Sequence, residues 1–162
     1  VAYTFQNSNV FSESFKLGSS TQQRLDMWGA SLEIFKESPI LGNGFSTYYD
    51  GVQKLVLEGS QPLWIANHER PHNEFLNILV NSGIVGFLVF SSIILSMFYI
   101  FNRLISNIPY KLSGYLLLSQ FLIFSISEVF FTTKLTIVYF CIAAALLIYL
   151  GLNEEENAEL NS

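Results

Sequence analysis

Three apolar blocks close this chain, and they limit what it can fold into more than any other feature. The first, residues 84–101, is 18 residues long and carries no charge. At about 1.5 Å per helical residue it reaches roughly 27 Å, close to the hydrocarbon thickness of a bilayer. The second and third, 112–127 and 135–150, are shorter at 16 residues each, but flanks such as Tyr110 and Gly151 can extend both. Each reads as a membrane span. The alternative, buried helices of a globular core, leaves too few polar residues to surround three of them. Only 13% of residues are charged and 51% are hydrophobic, whereas a soluble domain carries about a quarter charged residues. The expected class is an all-α polytopic membrane protein: a helical outer loop at 1–83, three transmembrane helices at about 84–101, 111–127 and 133–151, and an acidic tail at 153–162.

Orientation follows from the short connections. The first, 102–111, carries Arg103 and Lys111 and no acid, which places it on the cytoplasmic side by the positive-inside rule. The second, 128–134, has one charge of each sign, Glu128 and Lys134, and then faces outward together with everything before Ile84. The five basic residues of that long outer stretch do not conflict, because long translocated segments escape the rule. The acidic tail, cytoplasmic by the same count, reads as a solvated, frayed end. A formal net charge of −5 argues against a nucleic-acid partner. The lone Cys141 cannot form an intrachain disulfide. The chain opens on Val1 with no basic stretch ahead of an apolar one, so neither a signal peptide nor a natural start is visible. A C-terminal part of a larger membrane domain is expected.

The outer segment has helical patterning. Leu25, Trp28, Leu32 and Phe35 recur at three- and four-residue intervals, which predicts an amphipathic helix over 24–37 with that face inward. Ser20 with Gln23 offers a capping pair, and Pro39 stops the helix after Ser38. Gly42 and Gly44 allow a tight turn. Residues 47–57 read as a weaker helix interrupted by Gly51, residues 59–67 as loop, and a third helix is expected from Pro71 to near Gly83.

The chemistry-bearing run is Arg70-Pro71-His72-Asn73-Glu74-Phe75-Leu76, just ahead of the first span. At a helix N-terminus the dipole disfavours an imidazolium, so His72 is expected as a neutral ring able to accept a proton. On the same helix it would share a stripe with Phe75, Leu76 and Leu79. The bland alternative is an interfacial histidine that only caps the helix. His68 and His72 with Glu69 or Glu74 could suggest a metal site, but Pro71 breaks the helical spacing that a zinc helix needs. Arg24 and Arg70 carry guanidinium forks suited to phosphate oxygens; each could equally be a surface ion pair, Arg24 with Asp26 or Glu69. The outer segment has no Gly-rich phosphate loop, serine elbow or cysteine nucleophile.

The spacing His-Asn, nine residues, Gly, two residues, Gly, carried by His72, Asn73, Gly83 and Gly86, resembles the signature of the O-antigen ligase and polymerase superfamily. Two further blocks resemble it as well: Arg24 with Trp28, and Ser38-Pro39-Ile40-Leu41-Gly42-Asn43-Gly44-Phe45. Together the three cover roughly residues 20–101. The resemblance implies transfer of a glycan from undecaprenyl diphosphate to a sugar hydroxyl on the periplasmic face of the bacterial inner membrane, without metal or cofactor. The acceptor is the lipid A core in ligases and another lipid-linked repeat in polymerases. His72 would be base or positioning group for the acceptor hydroxyl, and Arg24 and Arg70 would contact the diphosphate. Trp28, Pro39, Gly42, Gly44, Asn73, Glu74, Gly83 and Gly86 would be motif positions. A protein oligosaccharyltransferase carries a similar histidine loop. Outside the enzyme class a transporter remains the competitor, against which stands the scarcity of ionisable residues in the spans.

Overall fold

Gln22, Gln23, Arg24, Leu25, Ala30, Leu32, Glu33 and Lys36 are good helix formers, and they lie in α1 (Ser20–Glu37) of a computed structural model that describes residues 20–129 and 134–160. The helix ends ahead of Pro39, as the restricted backbone before proline requires. Its buried face is not the expected one. Met27, Ala30, Ser31 and Ile34 are buried, while Leu25 and Leu32 are about half exposed. The helix carries apolar residues on two sides, and the side with small Ala30 and Ser31 allows the closer approach. Ser20 lies inside the helix, so any cap falls outside the described residues.

Helix α2 (Thr47–Leu57) buries Tyr48, Val52 and Leu55 on one stripe. Gly51 does not interrupt it. A Cβ there would come within 2.7 Å of Ile34 Cδ1, so the glycine is where α1 and α2 meet. The expected loop at 59–67 contains a 3-10 turn, Leu63–Asn67, that buries Ile65. Met27, Ala30, Ile34, Tyr48, Val52, Leu55, Ile65 and Val80 form one core, with Trp28 and Trp64 packed against it.

Helix α3 (Glu74–Tyr99) begins at Glu74, not at Pro71, and is two segments joined at Gly83, whose φ of 62° and ψ of −163° are not helical. The turn there is sharp. In a straight helix Phe75 and Phe90 would stand about 22 Å apart, yet their ring centroids are 5.9 Å apart and Phe75 also meets Phe87 at 6.4 Å. Residues 74–82 therefore fold back toward the segment that follows them. Val80 joins the first core, while Phe75 and Ile78 pack against the second.

A break in a helix strands carbonyls on one side and N–H groups on the other. Residues 39–44 satisfy both. Asn43 and Gly44 donate their N–H groups to the Val80 and Asn81 carbonyls (2.8 and 2.9 Å), and the Pro39 and Ile40 carbonyls accept from Ile84 and Val85 (2.9 and 3.2 Å). The side chain of Asn43 adds a bond to the Ile34 carbonyl at 3.0 Å. Contact is backbone to backbone, so a Cβ on Gly42 would collide with Asn81 and Ser82, and one on Gly83 with the Ile40 carbonyl. Past the break, the side chain of Ser82 occupies the space that a Cβ on Gly86 would need.

A π-helical turn, Ile100–Leu104, leads to α4 (Ile108–Ser127) and then α5 (Lys134–Leu160). Phe90, Phe101, Ile105, Leu117, Leu118, Phe121, Phe140 and Ala144 form the second core. Rings step from Phe75 through Phe90 and Phe121 to Phe140. The outward faces are apolar, with Ile84, Val85, Leu88, Val89, Ile93 and Leu95 exposed on α3, as suits a helix whose solvent is lipid. Among the described residues two helices are long and apolar enough to cross a membrane, Glu74–Leu104 and Leu135–Glu154. Because of the break, the part of the first that follows Gly83 is 84–104, of which the α-helical 84–99 is about 24 Å long. The expected middle span corresponds to α4, which has the length, at 20 residues, but is less apolar, with Lys111, Ser113, Ser119 and Gln120. The acidic end is not frayed through 153–160: α5 continues to Leu160. Adding turns to an existing helix needs no new nucleus, and Glu and Leu propagate it well.

Candidate functional site

Pro71 is fully buried, and the residue after it must turn the chain into α3. His72 makes that turn at φ 49°, in the left-handed region, where an L-residue other than glycine costs about 1–2 kcal/mol. It therefore lies outside the helix and does not share the stripe of Phe75, Leu76 and Leu79. Nor does it cap the helix. Asn73 is the N-cap: its Oδ1 accepts from the Leu76 N–H at 3.1 Å, and its Nδ2 donates to the Ile126 carbonyl, also at 3.1 Å.

That second bond ties the start of α3 to the end of α4. Two residues beyond Ile126, Glu128 places Oε2 3.1 Å from His72 Nδ1, with both side chains partly exposed. A carboxylate only accepts, so Nδ1 is the donor between them, and in the neutral ring Nε2 then carries the lone pair that can take a proton. A helix terminus, an amide tie and a carboxylate thus orient one imidazole, with Nδ1 toward the carboxylate. His68 stands behind it, edge-on to His72 at 6.0 Å and to Trp64 at 5.4 Å. Burial, and next the nearby His72, hold His68 below the usual imidazole value.

Arg70 points elsewhere. With Glu69 it lines an open cavity of about 460 Å³, to which Tyr49 and Asp50 of α2 and Asn77 and Asn81 of α3 also contribute. Along α3 the side-chain amide of Asn81 donates to Asn77 Oδ1 at 3.0 Å, and Asn77 in turn reaches the buried Glu74 at 3.5 Å. Glu74 is 1% exposed and sits in the first turn, where the helix dipole favours a carboxylate. Arg24 is apart from both features. It lies half-buried near the start of α1, and it pairs with neither Asp26 nor Glu69; Asp26 accepts from Gln22 at 2.8 Å. Trp28 is a packing residue of the first core.

The motif blocks thus resolve into two devices. Pro39, Gly42, Gly44, Gly83 and Gly86 build the joint in α3, and Asn73 holds the turn that carries His72. Residues 1–91 match the family described as O-antigen ligase, more than half of the chain. The chain belongs to the O-antigen ligase family. Over 103 residues it is also 31% identical to an uncharacterized protein of Haemophilus influenzae, a stretch covering 62% of this chain and 26% of that protein. The chain spans about a quarter of that relative's length.

Sequence reasoning placed Glu128 on the outward side, with the His72 run, but gave it no role. Its being the lone acid of that connection was the available signal. The amides Asn77 and Asn81, one helical turn apart inside a helix otherwise rich in apolar residues, were a second signal, since such groups need partners when buried.

Proposed function

We propose that this protein is a membrane glycosyltransferase of O-antigen ligase type. It moves a glycan from undecaprenyl diphosphate to a sugar hydroxyl of a lipid A core acceptor, at the periplasmic face of the inner membrane. In this reading 1–83 is periplasmic, 84–104, α4 and α5 are the three closing spans, and the acidic end is cytoplasmic. The observation that carries it is the His72–Glu128 pair in a family member. Nε2 of His72 takes the proton of the acceptor hydroxyl as that oxygen attacks the anomeric carbon, an assistance of about a hundredfold to ten-thousandfold. Glu128 holds the ring and stabilises the imidazolium that forms. The bond from the anomeric carbon to the diphosphate oxygen breaks in the same displacement, inverting the centre. The charge left on the diphosphate is assigned to Arg70, two residues from His72, while Arg24, which lies apart from both, keeps only the diphosphate role that the family resemblance implies; guanidinium groups stabilise such charge without a metal ion.

The test is the glycolipid profile of the source cell after deletion of the full-length gene, with wild-type, His72→Ala and Glu128→Gln copies returned separately. Long glycans stranded on the lipid diphosphate beside bare acceptor are expected for the deletion and for His72→Ala, with a partial defect for Glu128→Gln. Acceptor capped with a single repeat would instead identify a polymerase, and an unchanged profile would move the protein out of the transferase class. Arg24→Ala and Arg70→Ala are expected to weaken use of the lipid diphosphate donor; unchanged donor dependence would return either residue to a surface role.

A further inference from the structure

The stretch that joins α1 to α2 is built inside out for a segment in water. Residues 38–49 include no charged side chain, although Lys36, Glu37 and Asp50 flank them. The one side-chain amide of the stretch turns inward: Asn43 Nδ2 donates to the Ile34 carbonyl at 3.0 Å and to that of Val80 at 3.4 Å. The large apolar side chains turn out. Ile40 is 66% exposed, Leu41 72% and Phe45 91%, and Tyr49 at the end of the stretch is exposed as well. Clustered apolar side chains on an outer surface mark a contact with protein or with membrane.

Hydrogen bonds fix where this cluster stands. The Pro39 and Ile40 carbonyls accept from the N–H groups of Ile84 and Val85, the first residues of the apolar run of α3, so the loop caps that run at its outer end and lies beside the exposed Ile84 and Val85. Irregular backbone meets lipid only where its polar groups have partners, and much of this loop's backbone has them. The N–H groups of Gly42, Asn43 and Gly44 are bonded to the carbonyls of Ser38, Val80 and Asn81, and the Thr47 hydroxyl donates to the Asn43 carbonyl. The depth that suits such a loop is the boundary between headgroups and acyl chains, where apolar side chains reach down and the remaining peptide groups find water. Continuity favours lipid over a protein partner: the cluster borders a helix face that already suits lipid, and the loop needs no partner to pair the backbone it turns inward. We infer that the 39–45 loop is a membrane-surface anchor, with Ile40, Leu41 and Phe45 inserted at the headgroup–acyl boundary around α3 and Tyr49 at headgroup level. It fastens the joint at Gly83 to that depth. The inference goes beyond glycan transfer and needs only that the residues after Gly83 enter the membrane.

The experiment is power-saturation electron paramagnetic resonance on the full-length protein in lipid nanodiscs. Its native cysteines are replaced, and a nitroxide is attached in turn to Ile40→Cys, Leu41→Cys, Phe45→Cys and Glu58→Cys. Oxygen concentrates among acyl chains and a nickel chelate stays in water, so the ratio of the two accessibilities reports what surrounds each label. At 40, 41 and 45 oxygen is expected to outweigh nickel, with a ratio severalfold above that at Glu58, an exposed position just past the end of α2. Nickel outweighing oxygen at the three loop positions would put the loop in water and overturn the anchor. Low access to both would mean that protein covers the cluster, another segment of a longer chain or a second copy, and would overturn it equally. The three side chains are exposed, so the labelled proteins should keep the wild-type melting temperature; if one does not, the other two decide. Glycan transfer is a separate readout. Lipid-exposed labels in a protein that transfers no glycan would keep the anchor and remove the transferase reading, and water-exposed labels in an active protein would do the reverse.

Discussion

The two cores of this protein are held together by different means. In the outer one, the loop between α1 and α2 meets the break in α3 through backbone: residues 39–44 are laced across Gly83 by four main-chain hydrogen bonds, and Gly42 is pressed against the peptide group of Asn81 and Ser82. In the helical bundle the joints are side chains. Gly114 of α4 leaves room for the ring of Phe101, Gly151 of α5 for Ile105, and a row of phenylalanines runs from α3 to α5. Side chains can repack when a neighbour changes, whereas a backbone carbonyl held by a main-chain hydrogen bond cannot easily step aside. The outer region should therefore be brittle where the bundle is forgiving.

The largest effect is expected at Gly83. Its φ and ψ lie in a region essentially closed to other residues, and the added Cβ would strike the Ile40 carbonyl. Gly83→Ala should lose more than about 3 kcal/mol, read as a fall in melting temperature of the detergent-solubilised protein, and no second substitution nearby should restore it. A melting temperature within a degree or two of wild type would break the contrast at its strongest point.

A smaller loss, about 1–3 kcal/mol, is expected for Gly114→Ala in the bundle. Here the obstacle is the Phe101 ring, so Phe101→Leu in the same chain should recover much of the loss in a double-mutant cycle. Absence of recovery would mean that the bundle is as rigid as the outer region.

The smallest effect concerns pH. His68 is held below the usual imidazole value of 6.5, chiefly by burial, so the unfolded chain binds more protons than the folded one once pH drops to that value. The stability that His68 contributes is full above this range and is lost as pH falls through it. Fluorescence of Trp64, which touches His68, should report a lower unfolding midpoint in mild acid, and His68→Gln should flatten that slope. An equal slope in the variant would assign the acid sensitivity to other groups.

Much of this was legible from residue types. The apolar blocks located 84–104, α4 and α5, and the bounds of α2 matched, because length, charge and periodicity act locally. The inward face of α1 was misread, since two apolar faces compete on that helix and only packing against Ile34's partners decides between them. The joint was not legible either: glycines 42, 44, 83 and 86 read as separate turn and spacing signals, and nothing local says that a loop some forty residues upstream completes the hydrogen bonds of a broken helix. For the candidate site, the His-Asn pair pointed to the right turn, but Glu128 comes to His72 only through the antiparallel return of α4.

The fold-back in α3 also sets an altitude. A straight α3 would hold His72 roughly 16 Å beyond Gly83 along the helix axis. Folded back, with Phe75 among the rings of Phe87 and Phe90, the imidazole instead rests at the rim of the bundle beside the last turn of α4. In the proposed reading, with His72 as the reactive group and a lipid diphosphate as donor, the difference is one of hauling: each methylene drawn out of hydrocarbon costs about 0.8 kcal/mol, and a reactive group at the rim of the bundle would let the anchor stay submerged.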